Sequence, residues 1–162
     1  MTVSKIYFRV LTYKRFVSFS VSLLAVLVIG AINALFMTPN SEWFAALVRP
    51  NVNPDVHSLC WLAAYLLVAV VTSEFFIEKK LRRSVWSVAV LYVANPLWCL
   101  VFFRLHSVIG ASAIIAVALA DLIYIDVILA KHTKCVWLVS VAATCWYVYL
   151  AVLNAVIIFL NI

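Results

Sequence analysis

The sequence predicts an all-α integral membrane protein built as a bundle of five transmembrane helices. Of its 162 residues, 68% are hydrophobic and only 11% are charged, and the mean hydropathy is +1.16. Soluble domains are about half apolar and a quarter charged. A chain with so many apolar side chains cannot cover a water-facing surface with polar groups. The spacing of the long apolar runs then sets the number of helices.

Five apolar runs are each long enough to cross the hydrocarbon core as a helix, which takes about 20 residues. Glycine and proline are scarce, with 2 and 4 residues. Strands of alternating polarity are absent from the sequence, which argues against a membrane β-barrel. We interpret residues 1–162 as one membrane domain. The predicted helices are Phe16–Met37, Val56–Ile77, Ser84–Phe103, Ser107–Ala130 and Cys135–Leu160.

The basic residues fall on alternate ends of these runs. Ten of the 12 Lys and Arg residues precede the first run or lie in the second and fourth connectors, whereas Arg49 and Arg104 lie on the opposite side. For a bacterial inner membrane, the positive-inside rule then predicts a cytoplasmic N-terminus and an external C-terminus. The formal charge of +6 therefore reflects topology. We expect lipid as a partner and no nucleic acid.

The sequence predicts neither a catalytic centre nor a metal site. Its 4 cysteines show no C-x-x-C spacing and are interpreted as small buried hydrophobes, with a disulfide or metal site as the alternative. His57, His106 and His132 lie in or near connectors without metal-ligand spacing. No nucleophile is paired with a base. The residues therefore favour a binding protein over an enzyme, and no cofactor is required.

The first connector, WFAALVRPNVNPD (residues 43–55), is rich in aromatic, basic and proline residues. Pro50 and Pro54 stiffen it, because each fixes its own φ and restricts the preceding residue. Two interpretations remain open. Its aromatic rings anchor the connector at the membrane surface, or the connector is a preformed cap over a cavity between helices. In the second case the ring of Trp43 and the cation of Arg49 face a bound molecule.

Three of the predicted helices place a tryptophan beside a polar residue on one face. Residues three or four apart in a helix share a face. Such stripes are compatible with plain helix packing, and an asparagine amide with interhelical hydrogen bonding. The alternative is a cavity in which a flat, largely apolar ligand stacks between the rings. The pairs with this spacing are Trp61 and Tyr65, Asn95 and Trp98, and Trp146 and Tyr149.

Two aspartates lie inside the fourth run, where a charged carboxylate costs about 2.5–3.5 kcal/mol on insertion scales. Asp121 and Asp126 are five residues apart and so point about 140° away from each other, which excludes a carboxylate pair. We expect Asp126 to reach the membrane interface near Lys131. For Asp121 we favour a hydrogen bond to a neighbouring helix or subunit over proton coupling.

Four stretches, in chain order, resemble patterns of the translocator protein family, also called tryptophan-rich sensory proteins (TspO/MBR). Together they cover most of residues 43–161, although the fourth helix carries no diagnostic pattern. Each pattern alone is weak, and their order along the chain makes the resemblance specific. The stretches are WFAALVRPNVNP (43–54), W-x-x-x-Y (61–65), NPLWCLVFF (95–103) and W-x-x-Y-x-x-x-L-N (146–154), the last followed by Leu160-Asn161.

The resemblance implies a five-helix membrane bundle that forms homodimers and binds tetrapyrroles such as protoporphyrin or haem, and sometimes sterols. Family roles include sensing, transport and porphyrin breakdown. We therefore expect a membrane receptor, sensor or transporter with a tetrapyrrole pocket below the first connector. The alternatives are a small transporter or scaffold that has lost this pocket, and a porphyrin-degrading enzyme. The ligand-binding residues expected are Trp43, Arg49, Trp61, Tyr65, Asn95, Trp98, Trp146 and Tyr149.

The chain departs from the family pattern at positions that bear on the ligand. Ala142 and Ala143 stand where the family has Pro-Tyr, so an aromatic hydroxyl linked to ligand binding in relatives is missing. Leu150 replaces a small alanine and should narrow the cavity. Residues 154–162 contain neither the tyrosine nor the basic residue of the sterol-recognition pattern, itself a weak signal. These departures favour the alternative without a pocket.

Overall fold

The computed structural model describes residues 3–37 and 41–161, with side chains described from residue 12 onward. The five long helices are apolar and long enough to span a membrane, which confirms the predicted fold class. A 3-10 turn, Arg82–Ser84, precedes α4, and a π-helical turn, Leu100–Arg104, extends it. The helices are α1 (Val3–Phe36), α2 (Glu42–Ala46), α3 (Pro54–Ile77), α4 (Val85–Cys99), α5 (Val108–His132) and α6 (Lys134–Asn161).

The observed long helices cover the predicted runs closely, except at the start of α1, which begins at Val3 instead of Phe16. The basic leader therefore continues the first helix. The short helix α2 in the first connector was not predicted. Its cap is Ser41, whose Oγ accepts a hydrogen bond from the Phe44 amide at 3.2 Å, a typical N-cap contact.

The five long helices pack as a closed ring in the order α1–α3–α6–α5–α4. α1 packs against α3 and α4, and α5 packs against α4 and α6. Large apolar side chains cover the outside, including Leu24 (64% exposed), Leu138 (62%) and Phe159 (82%). In a bilayer these side chains meet lipid tails, so their exposure carries no cost.

Polar side chains join neighbouring helices inside the ring. The Asn33 amide nitrogen on α1 donates to the Tyr65 hydroxyl on α3 at 2.6 Å. The Thr144 hydroxyl on α6 donates to Asp126 Oδ2 on α5 at 2.7 Å. Asp126 thus turns toward α6, in contrast to the expectation that it reaches the interface near Lys131. Bonds of this kind contribute about 0.6 kcal/mol on average inside a membrane.

Asp121 is buried, with 8% of its surface exposed, and interacts with Ser87 of α4. The Ser87 hydroxyl has no partner of good hydrogen-bond geometry among the described residues, and neither does Asp121 Oδ2. The carboxyl group is therefore directed toward α4, while the expected hydrogen bond to a neighbouring helix or subunit stays a prediction.

The junction between α4 and α5 combines a π-helical turn with a tight cap. In this turn the Leu105 amide donates to the Leu100 carbonyl at 3.1 Å, and its wide register lets adjacent Phe102 and Phe103 both be buried. Ser107 then caps α5 by accepting from the Gly110 amide at 3.1 Å. The π-helical turn at this junction, which extends α4, is the segment that contacts the first connector.

We predict that Gly110→Ala destabilises the bundle. An added Cβ would lie 2.9 Å from Ser107 Oγ and 2.9 Å from Val101 Cγ1, so the cap and the π-helical turn would have to move apart. We expect a loss of about 1–3 kcal/mol, measured as unfolding in detergent by circular dichroism. The control Ile109→Ala removes a lipid-facing side chain (71% exposed) and should change stability by less than about 0.5 kcal/mol. Equal stability of Gly110→Ala and wild type would contradict the close packing of this junction.

Candidate ligand-binding site

Three tryptophan rings from three helices meet inside the bundle, and we call this group the aromatic box: Trp61 on α3, Trp98 on α4 and Trp146 on α6. The ring centroid of Trp61 lies 6.2 Å from that of Trp98 and 5.6 Å from that of Trp146. All three side chains are partly buried. The structure thus brings together three of the residues that the sequence placed on separate stripes.

A small cavity lies beside the aromatic box, between α3, α4, α5 and α6. Its volume is about 10 Å³, which is room for one water molecule. Its α5 wall is apolar and had no diagnostic pattern in the sequence. The lining residues are Trp61, Ala94, Asn95, Trp98, Ile114, Ile115, Ala118, Tyr147 and Leu150.

Asn95 is the buried amide of the cavity wall. Its Nδ2 donates to the Tyr147 hydroxyl at 2.7 Å and to the Leu91 carbonyl at 3.2 Å. The first bond joins α4 to α6, so Asn95 both lines the cavity and links helices. The structure thus shows the interhelical hydrogen bond expected of Asn95, and its contact with a ligand stays a prediction. Tyr147 was not among the predicted site residues, because the aromatic spacing in this helix selected Trp146 and Tyr149 instead.

Several buried N–H groups around the aromatic box lack an acceptor. The Trp61 indole N–H donates to His57 Nε2 at 3.1 Å, so the His57 proton lies on Nδ1. His57 Nδ1 and the indole nitrogens of Trp98 and Trp146 have no partner within the described part of the chain. An unpaired buried donor costs about 1–3 kcal/mol. A bound molecule that carries acceptor oxygens would remove this cost.

The first connector packs on the α4–α5 junction, away from the cavity. The Trp43 ring stacks on His106 at 4.6 Å and 15° and meets Phe102 edge-on at 5.4 Å. The Arg49 guanidinium lies 3.9 Å above the Phe44 ring as a cation–π pair. Trp43 and Arg49 therefore do not line the cavity, and Arg49 is engaged by its own connector.

Two contacts tie the connector to the bundle below it. Trp98 of the aromatic box stacks on Phe102 at 5.2 Å and 21°, and Phe102 in turn carries the Trp43 ring. At the end of α6, Asn161 accepts from the Val48 amide at 3.0 Å and donates to the Val48 carbonyl at 2.7 Å. The connector is thus fixed at both flanks. One of these contacts comes from Asn161, which was not among the predicted ligand-binding residues.

The remaining two predicted residues lie at the edges of the aromatic box. The Tyr65 ring centroid is 5.6 Å from that of Trp61, while its hydroxyl is held by Asn33 on α1. Tyr149 stacks on Trp146 at 5.1 Å and 29° and is 37% exposed. Both tyrosines support the tryptophan rings from outside, and neither lines the cavity.

The fold and the site define a class: a multi-pass membrane protein with a small aromatic-walled cavity between its helices. Within the described residues, no group of three His, Cys, Asp or Glu side chains is placed to hold a metal ion. A sequence model of the TspO/MBR family matches residues 22–160. The chain belongs to the TspO/MBR family, and this membership supports a membrane receptor or transporter kind of function. A search of curated proteins gave no match.

We predict that Asn161→Ala loosens the first connector. Two hydrogen bonds to Val48 would be lost, at about 0.5–1.5 kcal/mol each, so amide exchange at residues 47–49 should accelerate about tenfold. Hydrogen exchange followed by mass spectrometry measures this rate. Leu160→Ala, which truncates the neighbouring lipid-facing side chain (43% exposed), is the control and should leave the exchange unchanged. An unchanged rate in Asn161→Ala would show that the Trp43 and Phe44 contacts suffice.

Proposed function

We propose that the chain is a membrane receptor or transporter that binds a tetrapyrrole, protoporphyrin or haem, against the aromatic box. The observation that carries this proposal is the set of three N–H donors, on His57, Trp98 and Trp146, that have no partner among the described residues and lie around apolar ring walls. A tetrapyrrole offers matching features, since it has a flat apolar face that stacks on aromatic rings and carboxylates that accept hydrogen bonds.

The cavity must widen for such a ligand to bind. Sites for molecules of this size measure about 300–1,000 Å³, far above the present volume of about 10 Å³. Two features allow the change. The rings of Trp98 and Trp146 are not fixed by hydrogen bonds at their indole nitrogens within the described residues, and stacking contacts between rings can be replaced by stacking on the ligand.

A second candidate function is a small transporter or scaffold of the same fold without a tetrapyrrole site. The buried Leu150 side chain (2% exposed) and the small size of the cavity favour it. This candidate leaves the three buried N–H donors without a role, so we rank it second.

Two further features belong to the proposal. We expect a homodimer, as the family resemblance implies, and we leave sterols as possible second ligands. The basic side chains of the connectors after α3 and α5 lie at the end of the bundle where α1 begins. We assign this end to the cytoplasm by the positive-inside rule.

We predict that Trp61→Ala and Trp98→Ala each weaken protoporphyrin binding about tenfold, because each removes about 1.4 kcal/mol of stacking. The measurement is a titration of purified protein followed by the porphyrin Soret absorbance, repeated with haem and with a sterol competitor. Trp86→Ala is the matched control, since Trp86 is 53% exposed and contacts Tyr124 outside the site. Absence of a Soret change with wild type and all variants at micromolar porphyrin would favour the second candidate.

A further inference from the structure

Tyr147 lies in the wall of the cavity that the proposed ligand would have to enter. It is buried, with 4% of its surface exposed, and its side chain belongs to the cavity wall. Its hydroxyl accepts the hydrogen bond from Asn95 Nδ2 at 2.7 Å. The second amide hydrogen of Asn95 is used by the Leu91 carbonyl, one turn earlier in α4. The donor capacity of the buried amide is therefore spent inside the protein.

This arrangement differs from that of the other donors around the aromatic box. The indole N–H groups of Trp98 and Trp146 are unpaired within the described residues, so a ligand can bind them without breaking a bond. To reach Asn95, a ligand must first displace the Tyr147 hydroxyl and then supply an acceptor of its own. Without that acceptor the buried amide would be left unsatisfied, which is the costly outcome.

We propose that Tyr147 is an internal plug that determines specificity: its ring narrows the cavity, and its hydroxyl reserves the Asn95 amide for ligands that carry a hydrogen-bond acceptor. This inference rests on the proposed function and adds a rule for ligand choice. A porphyrin with carboxylate groups meets the rule, whereas a porphyrin with alkyl groups alone does not. The expected consequence is that wild type binds weakly and selectively.

The test compares wild type with Tyr147→Phe and Tyr147→Ala in Soret titrations with two probes. Protoporphyrin carries carboxylates, and etioporphyrin carries alkyl groups only. Tyr147→Phe keeps the ring but frees the amide, so protoporphyrin should bind about fivefold more tightly, as expected for one net hydrogen bond. Etioporphyrin should change by less than about twofold, because it has no acceptor for the freed amide. Tyr147→Ala also opens space and should tighten protoporphyrin binding by about tenfold or more.

Tyr124→Phe is the matched control, because it removes a tyrosine hydroxyl outside the site, where it contacts Ser84. It should leave both affinities unchanged. Thermal unfolding in detergent establishes whether each variant is folded. If Tyr147→Ala is not folded, Tyr147→Phe alone decides the test.

The outcomes separate this inference from the proposed function. Porphyrin binding by the Tyr147 variants alone, with none by wild type, would support the plug. Binding by wild type with no gain in Tyr147→Phe, or with an equal gain for both probes, would overturn the plug and leave the proposed function in place. If no variant binds either porphyrin, both are overturned.

Discussion

The hydrogen bond between Asn95 and Tyr147 is the contact around which the interior of this bundle is arranged. Apolar burial gives helices little reason to associate in a bilayer, because lipid tails are as apolar as leucine. An amide without a partner is costly in the same environment. The 2.7 Å bond therefore satisfies a buried amide and links α4 to α6 across the interior, although these two helices are not neighbours in the ring.

The site combines fixed and adjustable parts, and the two are distributed in a way that suits binding. Trp61 is held by its bond to His57, and Tyr65 is held by Asn33. Trp98 and Trp146 have only ring contacts at their indole ends within the described residues. On the α3 side of the aromatic box the ring is therefore fixed by a hydrogen bond. On the α4 and α6 sides the proposed ligand could bind if the rings change their orientation.

Sequence reasoning succeeded where the signal is local and failed where it depends on a partner. Apolar length and aromatic spacing predicted the five long helices and the stripes of Trp61, Trp98 and Trp146, because both follow from one helix at a time. The contact partner of Arg49 could not be predicted from helical spacing, because its guanidinium lies over Phe44 of the same connector. The Asn53-Pro54 pair was read as loop stiffening, although Asn53 Oδ1 caps α3 by accepting from two amides. That cap had a recognisable signal, an asparagine followed by proline at the first helical position.

The buried face of α6 could also have been predicted from the sequence, but the spacing of the aromatic residues pointed to a different face. Small and polar side chains recur there at steps of three and four, which marks the inward face of a membrane helix. Tyr147 belongs to that face, and Trp146 lies at its edge. The buried residues of α6 are Ser140, Ala143, Tyr147, Leu150, Asn154 and Ile157.

The same face accounts for the departure from the family at Ala143, whereas nothing in the structure explains Ala142. Ala143 is fully buried and packs with Val68 and Ala69 of α3, so a tyrosine there would force α3 and α6 apart. Tyr147 stands one turn further along α6, and its hydroxyl lies against Asn95. An aromatic hydroxyl is therefore present at the cavity, although the sequence lacks it at the family position. The small Ala143 thus lets α3 and α6 pack closely, while the Tyr147 hydroxyl is engaged by the bundle's own amide.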